Sequence, residues 1–253
     1  MIYHRSRFGL LMPERCFTPP SLCSMFMVNH LVGFGSGAAG GATITYTDNA
    51  AIVATGTVFT HTARALGNPA ADRIILVGTY GNRSSAGERS VSTLTAHGTA
   101  LSLVKDWGAA SSNTMEVWGG VVAAGATGDV VVTFAGGDMT SCGIMVAAIH
   151  GANSTVYATA SDTVNDPLSV GINVTAGGVL FAYAVNANGV GADAFTWTNA
   201  TERFDAVLQT PTAIYHSGAT DAYASAQTPI TVTANPDLAM TEGGLILVSY
   251  QAA

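Results

Sequence analysis

Lysine is all but missing from this sequence: Lys105 is the only one, and 9 basic residues stand against 16 acidic ones, for a net charge of -7. Phosphate contacts need a basic stripe, so the composition argues against a nucleic-acid partner. Charge of either sign is scarce, at 10% of residues, while 48% are hydrophobic. The Glu, Lys, Arg and Leu residues that favour long helices are few, and Gly, Ala, Thr, Ser and Val fill their place, as in chains of strands and tight turns. A surface of small hydroxyl and methyl groups suits a protein packed against neighbours in an assembly. No apolar run has the length of a membrane-spanning helix. Cysteine is sparse too. Cys142 lies in an apolar strand pattern and reads as a buried small hydrophobe, whereas Cys16 and Cys23 could bridge or stay reduced, so no compartment follows.

The first 26 residues make a poor signal peptide, because the apolar patch at 8–12 is cut off by Pro13, Glu14 and Arg15. Arg5, Arg7 and Arg15 lie upstream of Met27 with only Glu14, so the acidic excess grows beyond that point. Two readings of the segment stand: an ordered arm that docks on a partner, or an extension ahead of a compact part that begins near Met27.

What the chain does have is β pattern. After the glycine-rich stretch 33–41, strands are expected near residues 43–47, 53–62, 73–80, 90–96, 100–104, 114–122, 129–134 and 143–150. A second series is expected near 155–160, 168–174, 179–185, 195–198, 212–217, 230–233 and 245–250, with a further strand ending at Asp205. Strands at this spacing without amphipathic helices between them indicate a sandwich or barrel. The two series also resemble each other. Arg73-Ile-Ile-Leu-Val-Gly-Thr-Tyr80 matches Gly178-Val-Leu-Phe-Ala-Tyr-Ala-Val185, and Gly143-Ile-Met-Val-Ala-Ala-Ile149 matches Gly244-Leu-Ile-Leu-Val-Ser-Tyr250. Asp129-Val-Val-Val-Thr-Phe134 likewise matches Pro229-Ile-Thr-Val-Thr-Ala234. The offset stays at about 100 residues, the size of one seven-stranded sandwich. The expected fold is all-β: two tandem, related antiparallel β-sandwich repeats of jelly-roll or immunoglobulin-like type, with an extended N-terminal arm. Its parts are residues 1–41 (arm and Gly-rich hinge), 42–152 and 153–253.

Several short patterns carry a family likeness. They are His30-Leu-Val-Gly-Phe-Gly35, Leu66-Gly67 followed by Ala71-Asp72-Arg73, Gly125-Ala-Thr-Gly-Asp-Val-Val-Val-Thr-Phe134, Ser141-Cys-Gly-Ile144 and Phe195-Thr-Trp-Thr-Asn-Ala-Thr-Glu202. On these the chain, from about Met27 onward, resembles the phage and prophage-encoded β-sandwich virion proteins of tailed bacterial viruses. The resemblance implies a capsid-decoration, head-appendage or tail-fibre role, and it supplies no catalytic residues.

Catalytic and binding patterns are weak beside it. Gly35-Ser-Gly37-Ala-Ala-Gly40 fits the dinucleotide fingerprint, but a strand pattern follows where a helix is needed, so it reads as a hinge. The six histidines, His4, His30, His61, His97, His150 and His216, show no metal-ligand spacing, although His150 with Cys142 is a conceivable tertiary pair. Asp162 with Asp166, and Asp48 with Asn49, could hold Ca²⁺ in turns but read first as turn-forming residues. No Gly-x-Ser-x-Gly elbow nominates a nucleophile. Trp118 is expected in the core, while Trp107 and Trp197 stand at strand ends where a ring face could stack on a sugar.

The expectation is therefore a non-enzymatic structural component of a phage virion, without cofactor or metal, homo-oligomeric, contacting capsid or tail proteins and neither nucleic acid nor membrane. Met25, Phe26, Met27, Val28, Leu31, Val32 and Phe34 form the expected docking arm. The alternatives are a receptor- or glycan-binding module using Trp107 and Trp197, on a virion or cell surface, and a secreted hydrolase.

Overall fold

The computed structural model describes residues 40–83, 89–107, 113–163, 166–187, 194–209 and 213–253. The chain divides into the units Met1–Ala38 and Ala39–Ala253, and the described residues all belong to the second. The docking-arm residues Met25 to Phe34, Cys16, Cys23, His4, His30, Gly35 and Gly37 lie outside the described residues.

Among the described residues every regular element is a strand. The first half contains β1 (Thr43–Gly56), β2 (Val58–Ala65), β3 (Ile74–Asn82), β4 (Ser90–Ala96), β5 (Thr99–Ala100), β6 (Ser102–Asp106), β7 (Thr114–Val121), β8 (Thr127–Ala135) and β9 (Met139–His150). The second contains β10 (Ala152–Asp162), β11 (Leu168–Val174), β12 (Gly178–Ala187), β13 (Phe195–Thr198), β14 (Thr201–Gln209), β15 (Ile214–Tyr223), β16 (Gln227–Pro236) and β17 (Glu242–Ala252). An inner sheet β1-β9-β3-β7-β6 and an outer sheet β2-β8-β4-β5 form the first sandwich. An inner sheet β10-β17-β12-β15-β14 and an outer sheet β11-β16-β13 form the second. Apart from the two-residue β5, the strand order of one half is that of the other, and every strand pair is antiparallel.

The four sheets stack as layers, with three apolar cores between them. Ile75, Val77, Ile144 and Val146 face the first outer sheet and meet Phe59, Leu94 and Val132. Leu180, Ala182, Leu245 and Leu247 face the second outer sheet and meet Ile172, Phe195 and Val232. The alternate residues, Ile74, Leu76, Met145 and Ile149 from one inner sheet and Phe181, Tyr183, Ile246 and Val248 from the other, pack on each other in a central seam. Successive side chains of a strand point to opposite faces. A strand covered on both faces must therefore be apolar at every position, which is why Ile74–Val77 and Leu245–Val248 are unbroken apolar runs. Each Val, Leu or Ile so buried contributes about 1.5–3 kcal/mol.

Two of the differences from the sequence expectation bear on how the sheets join. Asp48 and Asn49 do not make a turn. They continue β1 past a bulge between Tyr46 and Asp48, and the chain turns at Thr57 instead. The Asp48 carboxylate accepts from the Ala65 amide at 2.9 Å and lies 3.7 Å from Arg64, so its polar character serves the neighbouring strand. The halves meet at Gly151, since β9 ends at His150 and β10 begins at Ala152. Asp72 holds that junction by accepting from the Gly151 amide at 2.8 Å.

Arg73, which opens β3, is fully buried. Its guanidinium donates to four backbone carbonyls: Val122 at 2.7 Å, Leu66 at 3.1 Å, Gly67 at 2.9 Å and Ala124 at 2.7 Å. A planar fork of donors satisfies several carbonyls at once, and an ammonium cannot reproduce that geometry. Residues 66–67 and 122–124 are thereby fixed to the start of β3. Arg73→Lys should lower unfolding stability by about 2–4 kcal/mol, given the worth of charged hydrogen bonds and the cost of carbonyls left unpaired. Urea denaturation measures this, and an unchanged midpoint would show that the four bonds contribute nothing net.

Candidate functional site

The seam brings polar and titratable side chains of both halves together. Tyr183 on β12 and His216 on β15 face each other across a hydrogen bond of 3.0 Å to Nδ1, both buried. The imidazole stands edge-on to Phe204 (centroids 5.0 Å apart) and Tyr183 (5.9 Å), and Phe204 stacks on Tyr46 of the first half at 5.5 Å. Its Nε2 has no hydrogen-bond partner. At one end of the seam Gln209 Oε1 accepts from Asn82 Nδ2 at 2.9 Å and from Ser141 Oγ at 2.7 Å, which ties the two halves.

Cys142 lies nearby on β9 but faces the first outer sheet, away from the seam. Its thiol is 3.6 Å from Thr79 Oγ1, and burial pushes its pKa up to about 12. A thiol that high holds its proton and is no nucleophile. Burial depresses His216 to about 3, with His61 adding to the effect, so the imidazole is neutral and shut away from water. A hydroxyl, an imidazole and a thiol are present, yet they do not form a chain of base and nucleophile open to a substrate.

The sequence-predicted contacts fall apart in a similar way. Trp107 is not at the surface. It is 7% exposed and packs against Gly244 of the other half, so its ring is not free to stack on a sugar. Trp197 is half-buried, its indole N–H donating to Ser217 Oγ at 2.8 Å and its ring tilted over Phe195. Trp118 is buried as expected and donates to Glu116 Oε2 at 2.7 Å. His150 and Cys142 sit on one strand eight residues apart, roughly 27 Å at strand rise, so they cannot share a ligand. His150 instead lies 3.9 Å from Asp72. Asp162 accepts from the Ser169 amide at 2.7 Å and Asp166 from the Met240 amide at 3.1 Å. Among the described residues no group of three or more His, Cys, Asp or Glu side chains is placed to hold a metal ion.

Two surface concavities exceed the others described in volume. One of about 650 Å³ is lined by glycine and alanine with a single phenol, Tyr223, whose hydroxyl donates to the Asn199 carbonyl at 2.6 Å. Another of about 500 Å³ carries His97 and Asp129. His97 and Gly98 both adopt positive φ in the tight turn between β4 and β5, the geometry of a two-residue hairpin. Asp129 Oδ1 accepts from the Ala63 amide at 2.9 Å, so the carboxylate secures backbone there. Comparison with known proteins gives no match: no family model, curated protein or solved structure aligns with the chain.

His61 is the second buried imidazole. It is 2% exposed, neither ring nitrogen has a partner, and burial with the nearby Arg64 lowers it to about 4. Both histidines take up protons in the unfolded chain near pH 6.5 but not in the fold. Their lowered pKa values therefore leave stability intact above about pH 6.5, and it is lost as pH falls toward 4 and then 3. At pH 5 the loss should be about 2 kcal/mol for each histidine relative to pH 7. Denaturation midpoints of the wild type and His61→Leu at the two pH values test this. The variant should lose less on acidification, and equal losses would remove His61 from the account.

Proposed function

We propose that the protein is a non-enzymatic structural component of a tailed-phage virion, of the capsid-decoration or head/tail-appendage kind, acting as a homo-oligomer. The observation that carries this reading is where the ionisable groups go. Asp48, Asp72, Glu116, Asp129, Asp162, Asp166 and Asp205 each accept from a backbone amide, of Ala65, Gly151, Val91, Ala63, Ser169, Met240 and Phe195 respectively. Arg73 does the converse with carbonyls. Side chains committed to turns and strand ends give a rigid stack of sheets and leave little for turnover. The low charge and the resemblance to phage β-sandwich proteins agree with that. The alternative of a glycan-binding module loses Trp107 to the seam and keeps only the half-buried Trp197.

Mass spectrometry of purified particles, with copy number taken against the major capsid protein, tests the reading. Hundreds of copies would mean decoration and a handful a tail or vertex component. Presence in the lysate but not in particles would sink the proposal. The apolar residues Met25 to Phe34 are the proposed attachment, so a chain beginning at Gly40 should fail to join particles. Normal incorporation of that chain would place attachment on the sandwich faces.

A further inference from the structure

The two inner sheets meet in a reciprocal way. β1 of the first half lies over β14 of the second, and β10 of the second lies over β6 of the first. In the shared strand order β1 corresponds to β10 and β6 to β14, so these two contacts are counterparts with the halves exchanged, and β9 on β14 with β17 on β6 makes a second such pair. The side chains follow the same rule. Gly143 on β9 receives Leu208 and His216 from the second half, and Gly244, in the corresponding place on β17, receives Trp107 from the first. At the centre one position meets its own counterpart. Gly78 pairs with Val117 and Met145, Tyr183 pairs with Gly218 and Ile246, and a Cβ on Gly78 would lie 2.8 Å from Tyr183 Cγ. Such an arrangement is that of a two-fold dimer interface, in which residue i meets j and j meets i. Here it is closed inside one chain. Among the described residues no strand pair crosses between the halves, and a single residue, Gly151, joins β9 to β10.

We propose that the seam is a recognition surface whose partner is the unlike half of this chain, able to hold the halves together without the covalent link. The selectivity lies in Gly78 and Tyr183. Two first halves would set Gly78 against Gly78 and leave a ring-sized void, while two second halves would drive Tyr183 into Tyr183. Voids and overlaps both destabilise a packed core. Only the unlike pairing fills the space once. Residues 152–253 of one molecule therefore fit residues 40–150 of the same or another molecule, independently of the virion reading.

The test uses the full chain with a protease site inserted after Gly151, folded and then cut. Light scattering and native mass spectrometry should find a 1:1 complex of unlike halves, and mixing with isotope-labelled cut protein should give hybrid complexes. Separate halves, or dimers of like halves, would overturn the proposal. A second arm uses the uncut chain, in case the insertion disturbs folding. Gly78→Tyr and Tyr183→Gly should each lower the melting temperature by several degrees, and the double variant, which exchanges knob and hole, should recover most of the loss. A double variant no better than the worse single one would mean that the two residues do not form the selective contact.

Discussion

The fold depends on the seam where the two inner sheets pack face to face. Antiparallel sheets commonly leave one face to water, and an alternating sequence then records which side is which. In this protein the central strands of both inner sheets are covered twice, once by their own outer sheet and once by the other half. The constraint is severe because the residues that close the seam sit on the same strands as those that close each sandwich. Glycine supplies the relief: Gly78, Gly143, Gly218 and Gly244 leave room for Tyr183, Leu208, Met145 and Trp107 respectively. A methyl group at any of these places would collide with a side chain from the opposite layer.

This double coverage explains what could and could not be read in the sequence. Strand positions were legible, since β-branched runs between turn residues mark them whatever covers them, and β13 falls on the expected residues 195–198. The layering was not. Ile74-Ile-Leu-Val77 says that both faces are buried without saying by what, and only the packing reveals Ile75 and Val77 on one side with Ile74 and Leu76 on the other. Trp107 was misread for a related reason. It stands past the end of β6, where a residue on a lone sandwich would meet water, but a second sandwich lies over it. Asp48 and Asn49 carry turn chemistry that a bulge absorbs within a strand, so local propensity lost to pairing with β9.

The polar residues were legible as types but not as partners. The turns at Asp48 and at Asp162 and Asp166 look in the sequence like possible Ca²⁺ loops because their side chains offer the oxygen ligands that Ca²⁺ takes. Their oxygens are taken by amides 7 to 74 positions away in the chain, from Asp162 with Ser169 to Asp166 with Met240. No spacing rule anticipates a bond of that span. Leu66-Gly67 and Ala71-Asp72-Arg73, which carried part of the family likeness, turn out to touch through the Arg73 guanidinium. They are a folding device, which is why they marked a fold better than a function.

The same topology governs how copies can associate. Each inner sheet ends in two edge strands, and free edges invite pairing with another chain. Interior pairs β3–β7, β3–β9, β12–β15 and β12–β17 run without a register shift. Every pair that includes an edge strand, β1–β9, β6–β7, β10–β17 and β14–β15, contains at least one. Bulges twist an edge and break its row of donors and acceptors, and the chain's single lysine, Lys105, sits at the shift in β6. Open-ended growth by strand addition is therefore opposed at all four inner edges. The large apolar faces of the inner sheets are closed on each other in the seam. Among the described residues the outer-sheet faces remain outside that packing, with strands such as β8 alternating buried and open positions, and a symmetric assembly of the proposed kind can use those faces without the risk of fibres.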